Sequence, residues 1–495
     1  QTGGLAEKTE TGLSLMTVGG SLSHTLRSPS QSVSASIDYY NLAPYFAAVK
    51  QNMEYDMTPQ GFSGLVMHRY ARPGGGILKT FVSAETGELG LQYPDFDNPG
   101  STLPFRMKNR NLYAQSHYSG LFSPSLTYKA GLVADLRHDN KQPGEIRLKE
   151  NDRFFQGKMT LTQEFSQQYR IRVGAEGIWH DNDFSYTEPS AQFDTLIREK
   201  QAAAFTEAEL SPSNALAIRL GARMEYSSIL NAFNLAPRAS LSLKTSANSQ
   251  LSLAGGRFYQ NPDMEILRYS DQLGFEHADH YILNFQWAAN ERVFRAELYR
   301  KEYANLVRYN QAFDPEPQNY TNTGQGYAQG VDIFWRDQKS IQGLDYWVSY
   351  SYTDTRRLYR DFPEEATPSF VSNHNMSVVG KYWVDALSTQ FGLTASWASG
   401  RPFDDPNTQT FMDGKTRSYF DLSMNASYLT ELFGQFTIVH LSVSNLLGTE
   451  QVFGYHFSSQ PGPDGTFKSF AITPPAPRFI FLGVFITLDH RKKSS

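Results

Sequence analysis

The chain has 495 residues, a formal net charge of −5 and no cysteine. Aromatic residues make up 14% of it and charged residues 19%, which excludes a disordered, highly charged polymer. The negative net charge gives no indication of the basic surface that nucleic-acid-binding proteins have. The lack of thiols excludes disulfide scaffolds and thiolate metal sites, and it suits an oxidising compartment. The longest nearly unbroken apolar run is 479–488, whereas a membrane-spanning helix needs about 20 such residues.

The dominant pattern is alternation of apolar and polar residues. Leu216, Ile218 and Leu220 share one parity, while Arg219 and Arg223 have the other. Successive side chains point to opposite faces of a strand, so this pattern predicts β-structure. The same alternation recurs along the chain, at 33–39, 169–176 and 344–353.

The predicted strands are often about 12 to 15 residues long, whereas strands of globular sheets have a mode of about 5–6. One face of each is apolar and the other carries full charges such as Arg170 and Arg172. The apolar face of such a strand requires an apolar environment and the charged face requires a polar one. A wide barrel in a bilayer provides both, with lipid outside and a polar lumen inside. A soluble sandwich has shorter strands and more frequent turns. The sequence therefore predicts an all-β, transmembrane antiparallel barrel.

Turn signals punctuate these strands in a regular order. Short polar turns fall at 27–30, 72–76, 123–125, 166–168, 211–214, 245–249, 288–291, 338–343, 384–387 and 430–434. Longer connections lie between them, at 41–58, 93–107, 140–150, 184–197, 261–274, 305–320, 358–368, 400–415 and 448–475. This asymmetry is typical of outer-membrane barrels, whose short turns face the periplasm and whose long loops face outward.

The segments between these connections give about twenty-one strands from Thr11 to Leu488, and one more near Gly3–Thr9 would make 22. That is the size of plugged outer-membrane transporters. We expect 1–10 to be a plug-to-barrel junction or the first strand, 11–488 the barrel, and 489–495 a periplasmic polar tail. The repeat spacing also allows a β-propeller, but ten blades exceed the usual number and no repeated blade signature is present.

The last predicted strand has the pattern of a barrel-closing strand. Its aromatic residues Phe479, Phe481 and Phe485 share one face. The other face is aliphatic and is predicted to contact lipid: Ile480, Leu482, Val484, Ile486 and Leu488.

Several short segments resemble TonB-dependent receptors in their order and spacing. These are Leu235–Leu243, Gly256–Pro262, Asn322–Asp332, Trp397–Phe403, Val443–Leu447 and Pro477-Arg478. Gly76–Lys79 and Tyr93–Pro99 are similar to stretches early in the barrel of the carboxypeptidase-regulatory-like subgroup of Bacteroidota receptors. The resemblance spans nearly the whole chain.

The resemblance implies a 22-stranded barrel that holds an N-terminal plug, and the plug carries a TonB box that couples import to the proton-motive force. Gly3–Leu5 and Thr9 look like the last plug strand. The sequence shows no secretory signal at Gln1 and nothing of plug length before the barrel. We expect that an N-terminal part precedes these residues, with a naturally plugless member as the alternative.

Two groups of residues are candidate contact sites. The inward charges Arg170, Arg172, Arg219, Arg223 and Glu225 are expected to contact a plug, or to form lumenal ion pairs without one. Residues of the outer loops are candidate ligand contacts: Tyr93, Phe96, Tyr309, Tyr320, Asp404 and Asp405.

No motif indicates catalysis, a cofactor or a metal centre. His277 and His280 are three residues apart, so a strand would direct them to opposite faces. The glycine run 74–80 lacks the order of a phosphate-binding loop.

The sequence predicts a bacterial outer-membrane receptor for a siderophore, glycan, peptide or cofactor, in contact with the bilayer and coupled to TonB through a plug. One alternative is a transport-inactive subunit of an outer-membrane complex, docking surface lipoproteins or other proteins. An open diffusion pore is the other, although an empty 22-strand lumen would leak.

Overall fold

The computed structural model describes residues 4–98 and 100–489, and these form a closed antiparallel barrel of 22 strands. The strands in chain order are β1 (Glu10–Met16), β2 (Gly19–Arg27), β3 (Gln31–Asn41), β4 (Glu54–Ala71), β5 (Ile77–Pro94), β6 (Thr102–Ser123), β7 (Leu126–Pro143), β8 (Arg147–Glu164), β9 (Tyr169–Glu188), β10 (Ala191–Ser213), β11 (Leu216–Ser227), β12 (Ala232–Ser246), β13 (Ser249–Gln260), β14 (Glu276–Ala289), β15 (Arg292–Arg308), β16 (Thr321–Asp337), β17 (Leu344–Leu358), β18 (His374–Val384), β19 (Thr389–Ala398), β20 (Pro402–Phe403), β21 (Gly414–Lys415), β22 (Tyr419–Leu432), β23 (Gln435–Ser444), β24 (Gly454–Phe457), β25 (Ser469–Ile472) and β26 (Phe479–Asp489).

Four of these strands lie outside the barrel wall and form two short hairpins, β20–β21 and β24–β25, in the connections after β19 and β23. Helical elements are few and short: α1 (Ala43–Ala48), α2 (Met264–Leu267), and 3-10 turns at Pro317–Asn319 and Asp385–Leu387. Within the described ranges, no helix has both the length and the apolarity to span a bilayer.

The barrel closes where its last strand meets its first. β26 pairs with β23 on one side and with β1 on the other, with Leu13 opposite Ile486 and Glu10 opposite Asp489. Closure pairs the backbone groups that an open sheet would leave at its edges. The predicted barrel and its closing strand are therefore confirmed.

Alternation places apolar side chains outside and polar ones inside. On β11, Leu220 and Met224 are 50% and 51% exposed, whereas the Arg223 side chain is only 19% exposed. Residues paired across neighbouring strands share a face, so the same inward and outward faces continue from strand to strand. Leu15 and Leu132 also point outward. Lipid covers such an outer surface, so its exposure in the isolated chain is expected for a membrane barrel.

Outward aromatic side chains mark two levels of the wall. Phe122 and Phe165 lie at the ends of the short turns, and Trp179 and Phe233 lie toward the long loops. On β9, ten residues separate Tyr169 from Trp179, which is roughly 33 Å along the strand. A tilt of about 40° reduces this to a height of about 25 Å, the height of the apolar band of outer-membrane barrels.

Several strands continue well beyond the bilayer, which corrects two predicted loops. β10 is 23 residues long and β6 is 22, far above the predicted length. The connections expected at 140–150 and 184–197 are mostly strand, because β7–β10 extend to leave only 144–146 and 189–190 as turns. The polar residues in these segments face water on both sides of the wall, so their composition is that of a loop.

The ten predicted short turns are all present between the expected strands. The first strand, however, is Glu10–Met16 and not Gly3–Thr9, since Gly4–Thr9 form no strand. The sequence prediction overlooked the tight hairpin at 17–18 that separates β1 from β2. Gly3 and residues 490–495 of the predicted polar tail lie outside the described residues.

The glycine run that superficially resembles a phosphate loop forms the periplasmic turn between β4 and β5. Gly74, Gly75 and Gly76 have φ values of +88°, +108° and +97°, a region that glycine adopts without the penalty of a Cβ. These glycines therefore serve the turn.

Candidate functional site

The inward faces of β8–β11 form a network of alternating charges, here called the charged lumen wall. Its members are Lys158, Arg170, Arg172, Glu176, Glu207, Glu209, Arg219, Arg223 and Glu225. Register brings them together, since Arg170 lies opposite Glu209 and Arg172 opposite Glu207 on the neighbouring strand. All five inward charges singled out from the sequence are in this network.

The most enclosed part of this wall centres on Arg223. Its Nη1 lies 3.1 Å from Glu176 Oε2 and its Nε lies 2.5 Å from Glu225 Oε1. Lys158 Nζ approaches the same Glu176 oxygen at 3.0 Å, and the Glu176 side chain is only 8% exposed. A carboxylate withdrawn from water needs such partners, because an unpaired buried charge is costly.

The rim of the same wall is more open. Arg170, Arg172 and Arg219 have side chains that are 42%, 42% and 53% exposed. Each is paired with a glutamate, but each guanidinium has five N–H donors in a fixed fork. Because these side chains are exposed, guanidinium N–H groups that no carboxylate occupies are accessible to water.

A recess of about 390 Å³ opens in this wall between β8 and β14. Gly221 and Gly256 form part of its lining, and the rings of Phe205 and Phe258 project from it. The Arg238 guanidinium lies 4.5 Å from the centre of the Phe258 ring. The two groups therefore form a cation–π interaction.

The connection after β13 folds into the lumen mouth instead of standing away from it. Arg268, which follows α2, donates hydrogen bonds to Glu150 on β8 and Asn182 on β9. Its guanidinium also lies 3.8 Å from the Phe184 ring. Asn261 donates to Glu199, so this segment is fixed to three successive strands.

Apolar side chains pack beneath that segment and form the mouth cluster, defined by the buried residues Ile197, Leu267, Leu273, Val307 and Tyr320. Tyr320, a candidate ligand contact, is only 5% exposed, and its buried hydroxyl has no hydrogen-bond partner within the described chain. Burial raises the pKa of Tyr320 to about 12. Tyr309, the second candidate, packs on it with ring centroids 5.5 Å apart. Both tyrosines therefore build the mouth.

The remaining candidate ligand residues are also engaged in loop packing. Tyr93 contacts Phe96 edge to face at 5.2 Å, and Phe96 stacks on His456 of the β24–β25 hairpin at 4.9 Å. Asp404 accepts a hydrogen bond from the Met412 amide, and Asp405 accepts bonds from Asn407. These residues lie in two neighbouring loop regions, apart from Tyr309 and Tyr320 in sequence and in contacts.

The long loops are joined across the mouth. Phe362 packs edge to face on Phe411 with centroids 4.9 Å apart. Asn407 Nδ2 donates to the Phe467 carbonyl, and the Ser459 amide donates to Asp97, 362 positions away in the chain. The loops therefore form a connected cover over the extracellular opening.

Sequence reasoning overlooked an arginine at this opening. Arg357, at the inward face of the upper end of β17, lies 4.4 Å from the Tyr303 ring, 5.6 Å from Tyr359 and 5.5 Å from Phe370. Its Nε is buried and has no hydrogen-bond partner within the described residues. With Arg360, it lines a recess of about 400 Å³. Nothing in the local pattern distinguishes it from the adjacent Arg356, because two of the three rings, Tyr303 and Phe370, come from other segments of the chain.

In the described part of the chain, no group of three or more His, Asp or Glu side chains is placed to hold a metal ion. The register places His280 opposite Gly256 on the inward face, and His277 is therefore on the outward face. The divergence of the two histidines expected from strand geometry is present.

The closed wall, the two aromatic levels, and the alternation of short turns with long loops define an outer-membrane β-barrel. Residues 22–446 match the family described as TonB dependent receptor-like, beta-barrel. The chain belongs to this family, whose members are outer-membrane receptors and transporters that contact the bilayer and TonB.

Solved structures of outer-membrane transporters share the fold. The FrpB iron transporter (F3-3 variant) from Neisseria meningitidis superposes with a TM-score of 0.75 at 10% identity, over 98% of this chain and 82% of that one. The ferric-catecholate import receptor Fiu from K12 E. coli gives 0.75 at 10% identity, over 97% and 81%. The transporter YddB from Escherichia coli gives 0.72 at 10% identity, over 97% and 81%. At such identity the likeness shows the fold alone. No curated protein matches the chain.

Proposed function

We propose that the chain is the barrel of a TonB-dependent receptor that takes up an anionic ferric chelate of the siderophore type. We also propose that it belongs to the carboxypeptidase-regulatory-like subgroup of Bacteroidota receptors, on the strength of the segments that resemble that subgroup. Glycans, peptides and cofactors are the other ligand classes to test. Ferric chelates come first because FrpB is an iron transporter and Fiu a ferric-catecholate import receptor.

The observation that carries the ligand class is the arginine recess of the mouth. Arg357 has a buried, unpaired Nε and three aromatic rings within 6 Å of its guanidinium. A guanidinium binds an oxyanion by charge-assisted hydrogen bonds, and the rings give flat apolar surface for an aromatic chelator. Both requirements meet in one recess at the entrance to the lumen.

The proposed mechanism has three steps. Ligand binds at the mouth, TonB pulls on a plug inside the barrel, and a path opens through the lumen. The charged lumen wall holds the plug, with the exposed donors of Arg170, Arg172 and Arg219 on it and with Arg223 and Glu225 fixing the wall itself. This division follows from exposure, since the Arg223 side chain is only 19% exposed.

The ligand test titrates the purified protein with a ferric tris-catecholate chelate and follows quenching of its tryptophan fluorescence. Arg357→Gln is expected to weaken binding about tenfold, because a hydrogen bond to a charged group contributes roughly 1.5–3 kcal/mol. Arg356→Gln is the matched control, since Arg356 is exposed on the outward face of the same strand. Equal loss in both variants, or no binding by the unaltered protein, contradicts the ligand assignment.

The plug test compares two proteins in planar bilayers, the 495-residue chain and the product of its complete open reading frame. The proposal expects a large steady conductance from the first and a closed lumen in the second. Substituting the three rim arginines Arg170, Arg172 and Arg219 with Gln should raise the frequency of open events in the longer product. A complete reading frame without a plug, or equal conductance, contradicts transport by this mechanism.

A structural subunit is the second candidate function, and the joined loops favour it. A mouth already covered by contacts such as Phe362–Phe411 and Asn407–Phe467 offers a fixed surface to a surface lipoprotein or another outer-membrane protein. Co-purification in fixed stoichiometry with such a protein, without chelate binding, would support this role. A monodisperse barrel that binds chelate would contradict it.

A further inference from the structure

Above the upper aromatic level, the outward face of β6–β8 carries cations without carboxylates. This outer basic face consists of Arg106, Lys108, Arg110, Arg147, Lys149 and Arg153. All six are exposed. The register continues the face from the outward apolar residues Leu112, Leu136 and Phe155, which are 44%, 37% and 39% exposed.

The six cations flank the outward face of β7, which at this height consists of His138, Asn140 and Gln142. β7 presents Asn140 between Lys108 on β6 and Lys149 on β8, and it presents His138 opposite Arg110. Neighbouring strands are about 4.8 Å apart and alternate residues about 7 Å apart. The cations therefore stand in two columns about 10 Å apart, a spacing that brackets a phosphate group.

Most of these cations have no ionic partner. Lys108 pairs with Glu88 at 3.3 Å, and within the described ranges the other five form no ion pair. On β9 the nearest outward acids are Asp181, which lies opposite Arg153, and Asp183, which lies opposite Asn151. A cluster of like charges is self-repelling, and an external anion relieves that repulsion.

Two outward arginines on the other side of the barrel are paired. Arg257 forms a two-point contact with Asp279 at 2.7 Å for each hydrogen bond. Arg300 lies 2.7 Å from Glu302. Strands that project from the membrane elsewhere can therefore pair their outward arginines, whereas β6–β8 place five cations without an ionic partner among the described residues on one continuous face.

The height of the face identifies its occupant. Six residues separate Phe155 from Lys149, roughly 20 Å along the strand and about 15 Å in height at a tilt near 40°. The headgroup layer on one side of a bilayer is only about 5–7 Å thick. A simple phospholipid reaches Arg153 and Arg110, whereas a glycolipid with phosphorylated sugars reaches the whole face.

We propose that the outer basic face binds an anionic glycolipid of the outer leaflet, through phosphate groups on its sugars. Acyl chains lie against the apolar wall below, and the phosphates lie between the columns of β6 and β8. Continuity with the lipid-contacting wall favours this occupant over an acidic protein. The inference does not depend on transport or on the ligand of the mouth.

The test uses the purified full-length protein in non-ionic detergent and three probes: lipopolysaccharide with a phosphorylated core, the same glycolipid after enzymatic dephosphorylation, and glucosamine phosphate. Native mass spectrometry counts bound glycolipid, and titration gives the affinity. Tight binding of the first probe is expected, with at least tenfold weaker binding of the other two. Binding should also weaken as salt is raised, since exposed charges are screened.

Two triple variants remove the face in halves, R106Q/K108Q/R110Q and R147Q/K149Q/R153Q. Each should lower glycolipid affinity about tenfold. The matched control R257Q/R300Q/R356Q removes the same charge from outward positions elsewhere and should leave it unchanged. Heat-modified electrophoretic mobility verifies folding, and K149E alone serves if a triple variant does not fold. Unchanged affinity in the face variants, equal loss in the control, or equal binding of dephosphorylated glycolipid overturns the proposal.

Discussion

The charged lumen wall and the mouth cluster both lie inside the outline of the barrel, but opposite chemistry holds them together. The wall consists of ion pairs such as Arg223–Glu176. The cluster consists of apolar contacts around Leu267 and Val307. A barrel in lipid places its apolar residues outside, so its lumen cannot use hydrophobic burial as a soluble core does. At the mouth, where loops close over one another, water is excluded and burial again stabilises the structure.

The two regions should respond to different perturbations. Loss of a mouth contact should loosen the loops and leave the barrel intact, because the wall is held by its own ladder of hydrogen bonds. Loss of an enclosed charge should affect the barrel as a whole, since β8–β11 share the network.

The largest effect is expected from Leu267→Ala in the mouth cluster. Leu267 is 5% exposed, and truncating a buried leucine costs about 2–5 kcal/mol. Hydrogen exchange should accelerate in 261–275, while the thermal transition of the barrel stays unchanged. Ile341→Ala in an exposed turn is the control. Barrel unfolding at a lower temperature would contradict the separation of the two regions.

Arg223→Ala tests the enclosed part of the wall. Glu225 loses its guanidinium partner, and Glu176 keeps Lys158 and the hydrogen bond from Gln156. The expected loss is about 2–3 kcal/mol in the unfolding free energy of the barrel. Urea unfolding in detergent micelles measures it. Exchange in 261–275 should not change. A loss confined to the loops would refute the assignment of this network to the wall.

High pH is expected to affect the mouth cluster through ionisation of Tyr320. Its folded pKa, about 12, is above the ordinary value of 10.0, so its stabilising contribution is complete below pH 10 and is lost as pH rises toward 12. The mouth should therefore loosen in this window, seen as faster proteolysis of the loops together with tyrosinate absorbance. Tyr320→Phe should remove the step. Its persistence would assign the transition to another group.

The smallest effect is expected from Arg219→Gln at the open rim of the wall. Arg219 lies 3.0 Å from Glu209, but its side chain is 53% exposed. Exposed ion pairs contribute about 0–1 kcal/mol, and salt screens them. The change in urea midpoint should be near the detection limit and should vanish in high salt. A loss as large as that of Arg223→Ala would show that the rim is as enclosed as the centre.

Local periodicity was sufficient to predict the wall. Alternation at 216–226 and in the closing strand depends only on which side chains meet lipid and which meet water, and this holds residue by residue. The ten short turns could also be predicted from the sequence, because tight connections require particular residues. The hairpin at 17–18 could not, since its residues lack turn character.

Contacts between distant segments were beyond that reasoning. Arg268 meets Glu150 across 118 positions. Tyr320 is buried in a cluster with residues of β10, of the connection after β13 and of β15. Polar segments such as 140–150 and 184–197 have the composition of loops but are strands, because neighbouring strands supply hydrogen bonds that composition does not reveal.

The sequence by itself determined a two-faced, antiparallel barrel of about 22 strands, the side of the ten short turns, and the inward placement of Arg170, Arg172, Arg219, Arg223 and Glu225. Those features follow from the solvent on each face of a strand. Only the tertiary structure decided how far the strands project from the membrane, which loops fold into the mouth, and which cations remain unpaired on the outer basic face. The partners of those residues are separated from them by many strands, and only closure of the barrel brings them within contact distance.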